Sequence, residues 1–518
     1  MLTFTLAAAL FAAPAATSSN DSLLDALEGD FDIVLRLGDL ASAASVEAPT
    51  AWMRVLGDPR LSDAIARGVE IPPEAAKDID RALRLVRSGA FGVKISDDGQ
   101  LVGAVRADEG LIASLRSTVS RFEGELAWTD ESILGHPGHR IGNGGPEGVT
   151  LVEVDRAILV GVGPNDTVEP QLGRVLAALE AGRQSAAPWW ESRPVDRVDD
   201  ALVEAFFSMD ALGKDDPEMT EILSEGQIAY LALGDDASGA SEISFLLTTA
   251  GSKPVAALAG AFGEAETDLL KLAPKSSLAV TVMKVDFGVL IDAALMLSGE
   301  AAARDQYEGA LMAASSSLGV DVEEDIIGNL TGDLVVVQYP VPAAGIDIDD
   351  PMAAADLAPT IALGISDSEP FYTLIETAEV FLGPDGVEVE DTDSATLWTF
   401  EPFPELSITL ALTESMLIVG TSDRAKGILA RASGAGSAGL VGDSDMAFIG
   451  DHLGGTYLGV TDIGPGLDLV LASLEAEEQE VPYLAPVVLE ILRDHLSGLG
   501  FGEAYFTEAV VGFKALMR

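Results

Sequence analysis

A chain of 518 residues carries 84 acidic and 30 basic side chains, a formal net charge of −54, on a composition that is 48% hydrophobic. That length exceeds one compact core and suits two domains of about 250 residues, with acids outside and Ala, Val, Leu and Ile inside. The charge repels phosphate backbones and so excludes nucleic acid as a partner. The absence of cysteine excludes disulfides, thiolate catalysis and thiolate-bound zinc.

The first sixteen residues, MLTFTLAAALFAAPAA, form an apolar run in which Ala13-Pro14-Ala15 fits a small-x-small cleavage site, and the first basic residue is Arg36. The expectation is a signal peptide over 1–16 and an exported mature chain, periplasmic or extracellular. No later apolar run is long enough for a membrane span, so no transmembrane anchor is expected in the mature chain.

Next comes the strand-like FDIVLRLGD, ending at Asp39. Phe31, Ile33, Leu35 and Leu37 share one face, with Asp32, Val34 and Arg36 on the other. A hairpin, AFGVKISDDGQLVGAVRA, turns at Asp97-Asp98-Gly99, where the Asp-Gly pair favours a positive φ. The helical LIASLRSTVSRF follows, then GHPGHR. Pro137 and Gly138 place His136 and His139 on a turn, and a zinc site would need two further ligands that nothing nearby supplies. Trp189-Trp190 is a partner-binding candidate if exposed and inter-module packing if buried. VEAFFSMD then runs to Asp210, ahead of a hairpin in QIAYLALGDDASGASEISFLLTT and the helical VAALAGAFGEAETDLLKLA.

The second half opens on LAVTVMKVD, ending at Asp286. Its next hairpin, DLVVVQYP to PTIALGIS, encloses an acidic insertion. Asp347, Asp349 and Asp350 there are calcium candidates, since calcium takes six to eight oxygen ligands, although no acidic loop matches the EF-hand pattern. The helical EPFYTLIETAEVFL, the strand TYLGVTD ending at Asp462 and a closing hairpin in GEAYFTEAVVGFKALM complete the chain. Asp39, Asp210, Asp286 and Asp462 each stand where a strand meets a helix, and their expected role is to cap that helix.

These landmarks recur at a nearly constant interval of about 250 residues, the length of one domain. Gly68-Val69-Glu70-Ile71 is echoed by Gly319-Val320-Asp321-Val322, and Ala157-Ile158-Leu159-Val160-Gly161 by Met416-Leu417-Ile418-Val419-Gly420. The expected fold is α+β: two tandem pseudo-repeated domains, 17–272 and 273–518, with largely antiparallel sheets packed on helices.

The chain has no H-E-x-x-H, P-loop, G-x-S-x-G or S-x-x-K pattern. No catalytic or cofactor-binding residue is assigned, and calcium is the one cofactor with a candidate site. The strand-to-Asp junctions, the segment GVDVEEDIIGNLTGDLVVV from Gly319 to Val337 and the hairpin repeats resemble an uncharacterised family of exported bacterial envelope proteins. That resemblance implies repeated α+β modules with no assigned activity. The expected function is non-enzymatic: partner-binding or structural in the envelope, or alternatively carriage of a lipid or other apolar ligand.

Overall fold

The computed structural model describes residues 21–24, 26–27, 31–38, 51–56, 58–61, 63, 85–95, 99–121, 126–143, 147–155, 157–181, 201–209, 228–235, 240–248, 258–297, 301–340, 358–382, 386–403, 406–436, 438–476, 484–496, 498–507 and 510–517. The expected signal 1–16, Asp39, Trp189, Trp190, Asp210, Asp347, Asp349 and Asp350 lie outside them. The chain divides into two compact units. The first is Met1–Ala250 with Gln479–Leu496 and Leu516–Arg518; the second is Gly251–Glu478 with Ser497–Ala515.

In the first unit the strands are β1 (Ile33–Leu37), β2 (Val86–Lys94), β3 (Gln100–Ala107), β4 (Ala127–Ile133), β5 (His136–Gly142), β6 (Glu147–Val154), β7 (Ala157–Pro164), β8 (Val203–Ser208), β9 (Ile228–Asp235) and β10 (Ser241–Thr248). Their pairings give the order β10-β9-β8-β1-β2-β3-β7-β6-β5-β4, every pair antiparallel. Helix α1 is Ala51–Leu56, α2 is Leu111–Ser120 and α3 is Asn165–Ala181. Val168, Leu172, Val175 and Leu176 form the buried stripe of α3, at the spacing of one helix face. Gly161 on β7 lets that stripe close in, because a Cβ there would lie 2.2 Å from Val168 Cγ1.

The second unit has β11 (Phe262–Gly263), β12 (Ala279–Val285), β13 (Leu330–Gln338), β14 (Thr360–Ile365), β15 (Val387–Asp391), β16 (Thr396–Phe403), β17 (Leu406–Leu412), β18 (Met416–Thr421), β19 (Tyr457–Asp462), β20 (Leu499–Phe506) and β21 (Val510–Met517). The order here is β20-β19-β12-β13-β14-β18-β17-β16-β15, with the short β11 against the end of β12. Helix α4 is Phe287–Leu297, α5 is Ala301–Leu318, α6 is Glu369–Leu382 and α7 is Ser422–Ala432.

Strand for strand, the order β9-β8-β1-β2-β3-β7-β6-β5-β4 is that of β20-β19-β12-β13-β14-β18-β17-β16-β15. The correspondence holds at single-residue level: Asp130↔His139↔Leu151↔Val160 in one unit runs as Val389↔Trp398↔Leu410↔Val419 in the other.

The expected α+β arrangement of separate sheets packed on helices is corrected. Within each unit the ordered strands join edge to edge in one continuous antiparallel sheet, β10 to β4 in the first and β20 to β15 in the second. The reason lies in pairings between strands far apart in sequence, β1–β8, β3–β7, β12–β19 and β14–β18, which place each new hairpin edge to edge with the last. A hairpin-by-hairpin reading does not see those pairings, since local alternation carries no information about a distant neighbour.

Candidate functional site

His136 and His139 do not lie on a turn. The turn is Leu134-Gly135, whose φ values of 51° and 82° are both left-handed, and both histidines follow it on β5. Three residues apart on a strand, they point to opposite faces, so they cannot share an ion. His136 Nε2 lies 3.9 Å from Glu180 Oε1. His139 is 6% exposed and sits between two carboxylates, with Nδ1 2.8 Å from Asp130 Oδ1 and Nε2 2.8 Å from Glu153 Oε1.

Strand geometry builds this cluster. Asp130 on β4 is directly opposite His139 on β5, and Glu153 on β6 shares their face. Trp128, two residues before Asp130, donates from Nε1 to Asp130 Oδ1 at 2.8 Å, and its ring lies 5.1 Å from that of His139. Arg116 reaches in from α2 to pair with Asp130, its guanidinium 5.0 Å from the Trp128 ring centroid. The Trp128 and His139 hydrogen bonds, with the Arg116 charge, hold the Asp130 carboxyl below its ordinary range against a desolvation cost. On the other sheet face Arg140 pairs with Glu131 and with Glu169 of α3; burial opposes its charge, yet the two carboxylates raise its pKa further.

Beside the cluster is a cleft of about 510 Å³, lined by Ala107, Ile112, Arg116, Glu153, Val154 and Ile158 among others. The second unit treats the same register positions differently. Trp398 stands where His139 does, Leu412 where Glu153 does, and Val389 where Asp130 does. Trp398 and Leu412 form a buried apolar cluster with Ile365 and Phe371, and Ile375 of α6 packs against it. Ile365 pairs with Leu330 beyond a register shift, as Ala107 pairs with Val86 beyond another. One scaffold position is thus solid core in the second unit and an open, charged cleft in the first.

The second unit has its own cleft, about 670 Å³, where β12 ends. Phe262, Phe287, Ile291, Ile327 and Leu330 give it an apolar floor, and Asp286, Asp292, Glu323 and Tyr307 stand around it. Asp286 Oδ1 accepts from Val289 N at 3.0 Å, which caps α4. Lys284 is held by Asp333 across the strand pair at 2.7 Å. Burial, with Glu323 and Asp292 nearby, raises the Tyr307 pKa. The wall is a single π-helical turn, Val322–Ile326, capped by Asp321, which accepts from Glu323 N and Glu324 N; such turns are frequent at functional sites. Asp462 closes β19, and its backbone N–H donates to Leu278 O at 2.9 Å.

Among the described residues no group of three or more His, Asp or Glu is placed to hold a metal ion. No helix there is long and apolar enough to cross a membrane.

No family model matches the chain, and no curated protein does. Among solved structures, crystal form IV of TP0453 covers 44% of this chain and 81% of its own at 14% identity and a TM-score of 0.27. Crystal form I of TP0453 covers 46% and 82% at 16% identity and a TM-score of 0.26. A likeness this loose transfers neither a fold nor a role.

Proposed function

We propose that the chain is an exported, non-enzymatic binding protein of the bacterial envelope or its exterior, built from two copies of one module that have diverged in their sites. The observation that carries this reading is the swap at a shared register position, with His139 and Glu153 in one unit and Trp398 and Leu412 in the other. Keeping a backbone while exchanging what lines one hollow is how a scaffold acquires different partners. At the first cleft Arg116 is held by Asp130 and Glu153 by His139, as suits side chains set to hold a ligand in place.

A second reading, carriage of an apolar ligand, is favoured by the second unit. Helix α4, FGVLIDAALML, is apolar apart from Asp292, yet Met296 is 63% exposed, and Met312 on α5 is 70% exposed. Exposed apolar side chains in the same unit as an apolar cleft floor suit an amphipathic guest.

Native mass spectrometry of the mature protein, purified from a secreting host without detergent, tests both readings. A retained mass of lipid size favours the carrier, and a smaller retained polar mass favours the binding protein. A bare polypeptide that takes up nothing from a concentrated envelope extract overturns both.

A further inference from the structure

We propose that the cleft of the first unit is a binding site for a zwitterionic small molecule of the α-amino acid class, with its carboxylate on Arg116, its ammonium on Glu153 and an apolar side chain over Ile112, Val154 and Ile158. The assignment deepens the binding-protein reading and rests on it.

The first support is the hollow itself. In the second unit Ile365, Phe371, Trp398 and Leu412 fill the corresponding space. In the first, Ala107 takes the place of Ile365 and Glu153 that of Leu412, and about 510 Å³ stays open. The fold therefore has a close-packed solution for this position and does not use it here.

The second support is the charge arrangement. Among the described residues Arg116 is the one basic residue of the cleft lining and faces Glu153, Glu109 and Asp108, the last of them paired with Arg87. Arg116 and Glu153 are each fixed from behind by a group outside the lining. Asp130 and the Trp128 ring set the Arg116 plane. His139 Nε2 holds Glu153 Oε1 at 2.8 Å, which leaves Oε2 for an incoming ammonium. A guanidinium held flat by one carboxylate and a ring still has donors for a second carboxylate, in the forked geometry arginine favours. A bare cation would leave the remaining Arg116 donors unused, and a bare anion would meet the acids of the lining; a zwitterion engages both signs.

Isothermal titration calorimetry with three probes tests this: L-leucine, leucinamide, which lacks the carboxylate, and 4-methylpentanoate, which lacks the amine. Leucine is expected to bind at least about tenfold more tightly than either analogue. Arg116→Gln should reduce leucine binding about tenfold and leave leucinamide unchanged, while Glu153→Gln should weaken leucine and leucinamide alike. Both side chains are about half exposed, at 48% and 45%, so neither change threatens the core, and unchanged circular dichroism verifies that. Arg116→Lys, which keeps the charge but loses the fork, should fall between wild type and Arg116→Gln. No heat with leucine at about 10 mM overturns the assignment, as does leucine binding indifferent to both variants. If leucine is silent but another mass is retained in native mass spectrometry, this site assignment fails and the binding-protein reading stands.

Discussion

Glu204 on β8 and Leu458 on β19 occupy the same register position in their units: Glu204 lies directly across from Arg36 on β1, and Leu458 directly across from Val282 on β12. The correspondence extends one strand further, where Tyr230 on β9 donates its hydroxyl to Glu204 Oε1 at 2.9 Å and Phe501 on β20 stands in its place with no hydroxyl to give. Glu204 is fully buried, and so are Val282 and Leu458 to within 2%. A buried ion pair with its hydrogen-bonded tyrosine in one unit is a plain apolar triplet in the other.

Breaking that network at one point should cost far more than replacing it whole. Glu204→Leu alone leaves the Arg36 guanidinium buried without its carboxylate, a loss of about 3–5 kcal/mol. The triple change Arg36→Val, Glu204→Leu, Tyr230→Phe copies the second unit's solution and should come out neutral, or more stable by about 1–4 kcal/mol. Urea denaturation of both variants decides it. A triple variant as damaged as the single one would show that the two positions are not packed equivalently.

Asp58 should account for part of the protein's acid sensitivity. Its carboxylate accepts from Arg60 at 2.8 Å and lies 2.8 Å from His495 Nε2, so it ties the segment after α1 to helix Leu484–His495. The Arg60 hydrogen bonds, then His495, depress its pKa far below the ordinary 3.8 despite partial desolvation. A depressed folded-state pKa stabilises above the unfolded value, and that contribution is lost as pH falls through the folded value. Asp58→Asn should cost about 2 kcal/mol at neutral pH and flatten the fall in stability below about pH 4. Equal acid profiles for wild type and variant would assign that sensitivity elsewhere.

Gly161 is held by space rather than by backbone conformation. A methyl group there would meet Val168 Cγ1 at 2.2 Å and Leu172 Cδ1 at 3.1 Å, both on the buried stripe of α3. Gly161→Ala is expected to push α3 off the sheet at a cost of about 1–3 kcal/mol, measurable as a lower urea midpoint. Gly110→Ala is the contrasting control: no atom lies within 4 Å of a Cβ there, so only its φ of 105° resists the change.

The hairpins β2–β3, β9–β10 and β13–β14 were legible because alternation and turn residues are local signals. Asp286 was legible for the same reason, a capping side chain one residue before an apolar helix. The continuous sheet of each unit was not, because β3–β7 and β1–β8 join strands that are far apart in sequence. The His139 cluster was missed because Pro137-Gly138 reads as a turn, yet here Gly138 pairs in register with Glu131 and Val152 inside a three-stranded ladder. A signal was present: Trp128 and Asp130 alternate on β4 as His139 and Ile141 do on β5. Laying the two halves side by side would have set His139 against Trp398, and an ionisable residue against a core tryptophan is the mark of a site.

That comparison yields the sharpest test of the scaffold. The fourfold change Arg116→Ile, Asp130→Val, His139→Trp, Glu153→Leu transplants the second unit's side chains at the three strand positions and makes Arg116, which would lose its Asp130 partner, apolar. His139→Ala alone should destabilise by about 1–3 kcal/mol, since it opens a void and leaves Asp130 and Glu153 without their shared partner. The fourfold variant should recover that loss, because the apolar pair already packs on this strand register in Trp398 and Leu412. It should also respond less to acid. Asp130 stabilises the fold above the ordinary carboxylate range and ceases to as pH falls through its depressed value, and valine has nothing to protonate. A fourfold variant that folds, resists acid and binds nothing would separate what this position does for the fold from what it does for a ligand. One that fails to fold would mean that the charged cluster shapes the first unit's backbone, and that the two registers coincide without being interchangeable.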